Sequence, residues 1–386
     1  MRVLHVIHSL DPRNGGLPRA AAGLAAAQTA AGAAAGILHY AGESDGRDQP
    51  HPFAEMQGFG AVTRLTLPPP RALEHLGGQA AKRALAAFAP DIVHLHGVWE
   101  PLLRHAGRWA RDTGTPYVMT THSMLDPWHQ RHHRAAKWIL FNLLGWRGLM
   151  THALFQHALT PFERDYISAL SAGRRFEVVP NGIFPSEMDA HPPRPPDDIL
   201  PALRGRPYAV SMARLHPQKG LDVLLDAFTR IAARLPDLCL VLAGPDYGQG
   251  PLLRAAVKQA GLDDRVFFPG QLQPSAVWPL LAGTRAFCLP SRAEGFSLAL
   301  LEAALAGAPM IITPGCHFDE LAAAGAARLV PLEASQIAEA LLAVASDHSA
   351  RDTMGATGRR RVLEHYTWDA VARRSLALCA AARKGA

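Results

Sequence analysis

Short apolar runs alternate with alanine-rich stretches along most of this chain, and this alternation limits the possible folds more than any other feature of the sequence. In the first half, the runs RVLHVI, IVHLH, YVMTTH, HALFQHALT and EVVPNG begin at Arg2, Ile92, Tyr117, His152 and Glu177. Strands separated by about 10–15 residues of helical pattern are typical of βαβ units, which build a parallel sheet. The first half therefore predicts a doubly wound α/β domain.

A proline-rich stretch interrupts this alternation between Ala190 and Pro207. It holds six prolines from Pro192 onward, a composition that predicts a stiff, extended linker. The alternation then resumes in apolar runs that begin at Tyr208, Leu238, Arg265, Ala286, Pro309 and Ala327. The second half is thus predicted to contain its own doubly wound sheet.

The length of 386 residues also favours two domains, because single hydrophobic cores stop growing near ~250–300 residues. We predict two Rossmann-like domains facing each other across a cleft, the first over residues 1–188 and the second over 189–366. Open α/β sheets bind ligands at the carboxyl ends of their strands. Functional residues are therefore expected directly after the apolar runs.

The composition of the chain limits which partners the protein binds and which cellular compartment it occupies. The net charge of +6 favours anionic partners, but the sequence lacks the aromatic-interleaved basic block of a nucleic-acid platform. Four separated cysteines without a C-x-x-C pair indicate buried reduced thiols and a cytoplasmic protein, and the N-terminus lacks the apolar core of a signal peptide. The apolar segment Ala20–Leu38 is mostly alanine and glycine, and we interpret it as a buried helix rather than a membrane span.

Two motifs of the second half place charged residues after strands. In SRAEGFSLALLEA, small residues after Glu294 allow backbone amides at a helix N-terminus to approach an anion, and Glu302 suits a pair of ribose hydroxyls. In SMARLHPQKGLD, Arg214 and Lys219 suit a pyrophosphate. Each motif alone also fits an ordinary solvated surface. Their conjunction in one Rossmann-like domain indicates a nucleotide diphosphate site.

These motifs, together with VPNGI at Val179 and AGPDYGQG at Ala243, resemble the retaining GT-B glycosyltransferases of family four over nearly the whole chain. The resemblance implies transfer of a sugar from a UDP- or GDP-linked donor, with no cofactor and no metal. It implies that Arg214 and Lys219 bind the donor diphosphate and that Glu302 binds the ribose. It also implies that a C-terminal helix over 367–386 returns to the first domain.

Further donor contacts follow from the same resemblance. Glu294 and His122 are expected beside the transferred sugar, and the glycines after the first strand beside the phosphates. The remaining expected contacts are the amides of Phe296, Ser297 and Leu298, the base loop around Leu272, and the backbone of Gly15 and Gly16. Ser297 departs from the glycine or proline of many members, which leaves the local amide geometry open.

The first domain carries a second group of motifs, HLHGVWEP and TTHSMLDPW. The SMLDPW run resembles a subset of the family that assembles bacterial exopolysaccharides and lipid-linked oligosaccharides. That subset suggests an acceptor site formed by His96, Trp99, Asp126 and Trp128. Indole rings stack on sugars and carboxylates bind hydroxyls, although tryptophans are also common in protein cores. For His122, the alternative to a contact with the donor sugar is a purely structural role.

Residues 131–150 join a basic run to WILFNLLGWRGLM, which predicts either a membrane-surface contact on the inner face or a helix buried in its own domain. The nearby His129, His132 and His133 lack the remaining pattern of a metal site, and DGRD at Asp45 has the wrong spacing for the D-x-D of metal-dependent transferases.

The expected chemistry is front-face attack, in which the leaving diphosphate accepts the proton of the incoming hydroxyl. Arg214 and Lys219 would stabilise the developing charge, while His122 and Glu294 would orient the sugar. Two alternatives stay open: a nucleotide-sugar epimerase of the same architecture, and a catalytically idle sugar-nucleotide-binding protein. A dinucleotide oxidoreductase is excluded, because the first strand is followed by DPRNGG and not by G-x-G-x-x-G.

Overall fold

The computed structural model describes residues 1–42, 51, 53–69, 78–130, 134–170, 175–191 and 194–384. Its contacts divide the chain into two compact units. Unit 1 comprises Met1–Phe184 and Thr367–Ala386, and unit 2 comprises Pro185–Tyr366. Each unit contains one parallel sheet, which confirms the predicted α/β fold class with two doubly wound sheets.

The strands follow the predicted apolar runs, with two additional strands in unit 1. In chain order they are β1 (Arg2–Val6), β2 (Ala34–Tyr40), β3 (Thr63–Leu67), β4 (Ile92–His96), β5 (Tyr117–Thr120), β6 (Phe155–Ala158), β7 (Phe176–Val178), β8 (Tyr208–Met212), β9 (Cys239–Ala243), β10 (Val266–Gly270), β11 (Ala286–Leu289), β12 (Met310–Ile312) and β13 (Ala327–Leu329).

The α-helices of the described residues lie mostly between consecutive strands. They are α1 (Gly16–Ala30), α2 (Gln79–Phe88), α3 (Pro101–Asp112), α4 (Pro127–Gln130), α5 (Arg134–Leu143), α6 (Trp146–His152), α7 (Pro161–Ser168), α8 (Pro185–Asp189), α9 (Pro196–Ile199), α10 (Leu221–Ile231), α11 (Gly250–Gln259), α12 (Pro274–Ala282), α13 (Leu298–Leu305), α14 (Asp319–Ala323), α15 (Ala334–Ser346), α16 (His348–His365) and α17 (Trp368–Lys384).

The sheet of unit 1 has the strand order β3-β2-β1-β4-β5-β6-β7, and every pairing is parallel. The chain first extends the sheet on one side of β1 and then crosses to β4 on the other side. The strand order therefore reverses between β1 and β4, which is where sheets of this kind bind ligands. Buried apolar side chains cover both faces of the sheet.

The C-terminal helix α17 packs on α1 within unit 1. Its first residue, Trp368, lies so close to Gly182 that a Cβ atom at position 182 would stand 2.8 Å from the Trp368 Cα. Gly23 of α1 meets the same indole, since a Cβ there would approach the ring at 2.5 Å. The glycine of the VPNGI motif thus has a packing role, because it admits the tryptophan that begins α17.

The sheet of unit 2 has the order β10-β9-β8-β11-β12-β13 and is also entirely parallel. Its strand order reverses between β8 and β11. The core of the unit includes Leu224 and Phe228 of α10 and Leu341 of α15, all fully buried. Motifs that follow β8 and β11 therefore come together at the carboxyl edge of this sheet.

The interpretation of Ala20–Leu38 as one helix was wrong. Helix α1 ends at Ala30, Gly32 with φ 89° turns the chain, and β2 begins at Ala34. Both elements are buried, so apolar residues occupy nearly every position of the helix and of the strand. An uninterrupted apolar run lacks the periodicity that separates a helix from a strand.

The expectation of an extended linker was also wrong for its described part. The chain forms α9 at Pro196–Ile199 and a 3₁₀ turn at Pro201–Leu203, and Leu203 is fully buried. Proline stands at the first positions of both elements, where its missing N–H costs no hydrogen bond. Pro192 and Pro193 lie outside the described residues.

Candidate active site

The candidate site of unit 2 lies at the reversal of its strand order. Arg214 and Lys219 follow β8, and Glu294 follows the neighbouring strand β11. Because β8 and β11 are adjacent and parallel, their two following loops meet at one edge of the sheet. The structure thereby brings the cationic and the acidic motif together.

Lys219 and Glu294 form a bidentate ion pair in the inner part of this site. The Lys219 Nζ atom lies 2.6 Å and 2.7 Å from the two carboxylate oxygens of Glu294. Ser291 donates a further hydrogen bond of 2.5 Å to Glu294 Oε1. The side chains of Lys219 and Glu294 are only 13% and 7% exposed, so water screens the pair weakly.

Side chains that the sequence did not single out hold the two loops against each other. Gln218 donates from its amide to the carbonyl of Ala293 at 2.7 Å, and the Arg292 amide donates to the Gln218 carbonyl at 2.8 Å. Arg292 also forms a bidentate ion pair with Asp222 at the start of α10, at 2.7 Å and 2.9 Å. These contacts fix the distance between the Lys219 loop and the Glu294 loop.

The Glu294 loop approaches a third loop so closely that only glycine fits there. A Cβ atom at Gly315 would lie 2.4 Å from the carbonyl oxygen of Ser291. The Gly315 carbonyl in turn accepts the Glu294 amide at 2.7 Å. The backbone of Glu294 is therefore fixed independently of its side chain.

Helix α13 begins at Leu298, four residues after Glu294. Ser297 is its N-cap and accepts the Leu300 amide, so Ser297 has the capping role that its position allows. The N-terminus of α13, at Leu298, presents main-chain N–H groups suited to an anion. Phe296 packs on Phe318, with ring centroids 4.7 Å apart. Glu302 lies further along α13 and is 7% exposed.

Arg214 and Leu272 lie elsewhere on the same edge. The Arg214 guanidinium lies over the ring of Tyr247, 5.2 Å from its centroid, and Tyr247 comes from the AGPDYGQG motif. Leu272 is partly exposed in the loop between β10 and α12. The structure places both residues on loops at strand ends, and their predicted contacts with the diphosphate and the base stay predictions.

In unit 1, Gly15 and Gly16 connect β1 to the 15-residue helix α1. Gly15 has φ 88° and is the N-cap residue, and Gly16 is the first helical residue. The left-handed backbone at Gly15 is one that residues with a side chain rarely adopt. The first amides of a long helix favour an anion, and the predicted phosphate contact of Gly15 and Gly16 stays a prediction.

His122 lies at the end of β5 in a strained turn. Both His122 and Ser123 have left-handed backbone conformations, with φ of 49° and 59°. The buried carboxylate of Glu163 holds this turn, since it accepts from Thr121 Oγ1 at 2.5 Å and from the Ser123 amide at 2.7 Å. Burial raises the pKa of Glu163. Strained residues held in this way concentrate at functional sites.

Behind His122 lies a cluster of buried histidines that the sequence analysis missed, apart from His96. His5 on β1 pairs in register with His94 on β4, and His96 stands two residues further on the same face of β4. His157 of β6 completes the cluster and lies 5.3 Å from His94 between ring centroids. The spacing of HLH and the neighbouring strand could have predicted this convergence.

The four residues of the predicted acceptor site differ in accessibility. His96 is 3% exposed and contacts His122 at 2.9 Å, and Trp99 packs edge-on against Phe141 and Trp146. Asp126 is also buried and accepts the Trp128 amide at 2.6 Å. Trp128 is partly exposed. Acceptor binding by these residues stays a prediction.

Potential metal ligands occur together once among the described residues. The ring nitrogens of His5, His94 and His96 lie within 4.8 Å of one another. His5 and His96 already hydrogen-bond each other at 2.8 Å. His132 and His133 lie outside the described residues, as does the DGRD segment.

Two consecutive doubly wound parallel sheets, each with polar residues at the reversal of its strand order, are the architecture of the GT-B fold. The family model described as "Glycosyl transferases group 1" matches residues 198–361. A second model, described as "Glycosyl transferase 4-like domain", matches residues 15–182. The chain belongs to this glycosyltransferase family.

Curated relatives agree with this membership. The D-inositol 3-phosphate glycosyltransferase of Jonesia denitrificans is 30% identical over 78% of this chain and 74% of its own. The phosphatidylinositol N-acetylglucosaminyltransferase gpi3 subunit of Schizosaccharomyces pombe is 26% identical over 74% of this chain and 60% of its own. A GDP-mannose-dependent monoacylated α-(1-6)-phosphatidylinositol monomannoside mannosyltransferase of Corynebacterium glutamicum is 27% identical over 55% and 58%. The chain thus covers less than two thirds of the length of the last two relatives.

Solved structures share the fold over the full chain. Sucrose-phosphate synthase from Thermosynechococcus elongatus superimposes with a TM-score of 0.79 at 21% identity, covering 100% of both chains. Anabaena HepE in complex with UDP and glucose gives a TM-score of 0.79 at 18% identity, covering 99% of this chain and 100% of its own. At these identities the likeness concerns the GT-B fold alone.

Proposed function

We propose that this chain is a retaining glycosyltransferase that moves a sugar from a UDP- or GDP-linked donor to a glycan or lipid-linked saccharide acceptor. The observation that carries the proposal is the nearly buried Lys219–Glu294 pair, which lies in the loops that follow β8 and β11 and shortly precede α13 in the chain. It combines a cation for the diphosphate with a carboxylate for sugar hydroxyls. Family membership supports the transfer of a glycosyl group.

The diphosphate of the donor is proposed to lie on Arg214, Lys219 and the first amides of α13. Two of the three Lys219 N–H groups lie on Glu294, which leaves the third for a phosphate oxygen. Arg214 offers a planar fork that matches phosphate oxygens. Glu302 would accept hydrogen bonds from the ribose hydroxyls.

The proposed transfer is a front-face displacement without a metal. The bond from the anomeric carbon to the diphosphate breaks, and the acceptor hydroxyl attacks from the same face. Its proton passes to the departing diphosphate oxygen. Arg214, Lys219 and the α13 amides stabilise the negative charge that develops on the leaving group.

The names of similar proteins support this range of substrates without choosing among them. HepE has been solved with UDP and glucose, whereas the Corynebacterium enzyme uses GDP-mannose. The relatives from Schizosaccharomyces, Corynebacterium and Mycobacterium are named for phosphatidylinositol-containing acceptors. We propose a lipid-linked acceptor in the synthesis of a bacterial surface polysaccharide.

An apolar patch on unit 1 supports a peripheral position at the inner face of the membrane. Trp138 and Leu143 are 70% and 78% exposed, and Ile139 and Leu144 are exposed beside them. The sequence places Arg134 and Lys137 immediately before this patch. Within the described residues, every helix is too short or too polar to span a bilayer. Exposed Trp and Leu next to basic residues are typical of surface-bound segments.

Product analysis tests the proposed function. The protein is incubated with UDP- and GDP-sugars, with and without a lipid-linked saccharide mixture, and the products are separated by mass and by anomeric configuration. We expect a glycosylated acceptor of retained configuration only when both substrates are present. Conversion of the donor to an epimer without acceptor would instead identify a nucleotide-sugar epimerase.

A further inference from the structure

Four polar side chains of unit 1 form a continuous hydrogen-bonded chain that ends at His122. Gln28 Oε1 lies 3.0 Å from His5 Nε2, and His5 Nδ1 lies 2.8 Å from His96 Nε2. His96 Nδ1 then lies 2.9 Å from His122 Nε2. Behind Gln28, its amide nitrogen donates to Ser375 Oγ of α17 at 3.2 Å.

The chain is shielded from water along most of its length. Gln28, His5 and His96 are at most 3% exposed, whereas His122 is partly exposed at the outer end. Burial lowers the pKa of His5 to about 4 and that of His122 to about 3. The pKa of His96 is also held well below its usual range by burial and by its neighbour His94. Near neutral pH the three imidazoles are therefore uncharged.

A neutral imidazole carries one N–H, and this fixes the direction of every bond in the chain. The Gln28 carbonyl accepts, so His5 donates from Nε2 and its Nδ1 must accept. His96 then donates from Nε2 to His5, and its own Nδ1 accepts from His122. His122 is consequently protonated at Nε2, and its Nδ1 retains a lone pair.

We propose that Gln28, His5 and His96 form a tautomer relay that holds His122 as an acceptor at Nδ1 for a substrate hydroxyl. The three residues are positioning residues, because they act on the substrate only through His122. The part that concerns the substrate rests on the proposed glycosyltransferase function. The part that concerns the tautomer does not.

The relay acts as a unit, since reversing one bond requires reversing all of them. If the Gln28 amide turned over, its nitrogen would donate to His5, and each imidazole would have to move its proton to the other ring nitrogen. His122 would then present an N–H at Nδ1, and a substrate hydroxyl could only accept from it and no longer donate to it. Without the Gln28 amide, nothing selects between the two directions of hydrogen bonding along the three imidazoles.

Nitrogen NMR of the ¹⁵N-histidine-labelled full-length protein tests the relay directly, because protonated and unprotonated ring nitrogens have distinct shifts. His122 is assigned by comparison with His122→Gln. We expect a single Nε2–H tautomer of His122 in the wild type and in Gln28→Glu, whose carboxylate still accepts from His5. Gln28→Met should give a mixture of tautomers.

Gln156→Met is the matched control. Gln156 is likewise a fully buried glutamine of unit 1, but its amide donates to the Met150 carbonyl and not to an imidazole. This variant should leave the His122 tautomer unchanged. An Nδ1–H tautomer in the wild type, or an unchanged His122 spectrum in folded Gln28→Met, would overturn the relay. So would one equivalent of tightly bound zinc whose removal alters the His5 and His96 signals.

Activity provides a separate readout. With the donor and acceptor found by product analysis, Gln28→Met should lower kcat by roughly 10-fold or more with little change in KM for the donor, as for other outer hydrogen-bond partners of a functional histidine. Gln28→Glu should recover most of this loss, and Gln156→Met should resemble the wild type. A protein without transferase activity would remove the proposed function, while the NMR result would still decide the relay.

Discussion

At the scale of single residues, the contact between Lys219 and Glu294 changes how their predicted roles are understood. The sequence assigns one to the diphosphate and the other to the sugar, yet here they neutralise each other in a nearly buried position. Removing one member of such a pair leaves an uncompensated charge in a region that water reaches poorly. Substitutions at this site are therefore expected to affect both catalysis and stability.

A double-mutant cycle measures this coupling. We expect Lys219→Met and Glu294→Met each to destabilise the protein by about 3–5 kcal/mol, because each leaves a buried charge unpaired. The double variant should be more stable than the sum of the two losses predicts. Urea unfolding gives the free energies. The exposed pair Arg230–Asp226 on α10 is the control, and breaking it should change stability little. Additive losses at Lys219 and Glu294 would contradict the coupling.

At the scale of elements, the sequence predicts the strands well where turn signals or charged residues bound them. IVHLH coincides with β4, and AFCLP contains β11. The sequence analysis missed β2 and β3, since β2 continues the apolar stretch of α1 and β3 carries polar residues such as Arg64 and Thr66. Within the site, the motifs indicate Arg214, Lys219 and Glu294, but Ser291 and Gln218 are recognised only from contacts between loops.

The histidines on β1, β4 and β6, together with His122 in the turn after β5, give unit 1 a defined pH dependence. Burial lowers the pKa of His5 and His157 to about 4 and that of His122 to about 3, whereas an unfolded chain titrates near ~6.5. Between these values the unfolded state binds more protons, so stability falls as pH falls through this window. The raised pKa of Glu163 acts oppositely, and its stabilising contribution is lost as pH rises.

We therefore expect the unfolding midpoint temperature to fall steadily between about pH 6.5 and pH 4, as followed by circular dichroism. His5→Gln should reduce the slope, because it removes one proton uptake on unfolding. His348→Gln is the control, since His348 is exposed on α16. A midpoint that stays constant over this window would show that the buried histidines already titrate normally in the folded protein.

The exposed patch formed by Trp138, Ile139, Leu143 and Leu144 predicts binding to anionic membranes. Vesicle co-sedimentation should recover the wild type with vesicles rich in phosphatidylglycerol and much less with pure phosphatidylcholine, since apolar insertion and basic residues act together. The double variant Trp138→Ser/Leu143→Ser should lose most of this binding. Leu252→Ser is the matched control, because Leu252 is 72% exposed in unit 2. Equal binding of both variants would exclude the patch as a membrane contact.

At the scale of the whole molecule, the two units share the same architecture. Each has a parallel sheet with its own hydrophobic core, and each places its polar residues where the strand order reverses. In unit 1 these residues are buried histidines, and in unit 2 they are a cation and carboxylates. The pattern of apolar runs can predict both sheets, because the strands of a parallel sheet are buried and therefore apolar. It cannot predict which loops touch, because that depends on contacts between residues distant in sequence.

The stability of the whole protein should report which nucleotide unit 2 binds, and whether a metal takes part. A ligand that binds only the native state at 100 times its Kd stabilises by about 2.7 kcal/mol, which would raise the midpoint temperature by a few degrees. We expect UDP or GDP to produce this shift in excess EDTA. The matching monophosphate should produce much less, because Arg214, Lys219 and the α13 amides are proposed to bind the second phosphate. Arg214→Met should lose most of the shift. A shift that EDTA abolishes and Mn²⁺ restores would mean that a metal, not these residues, holds the diphosphate.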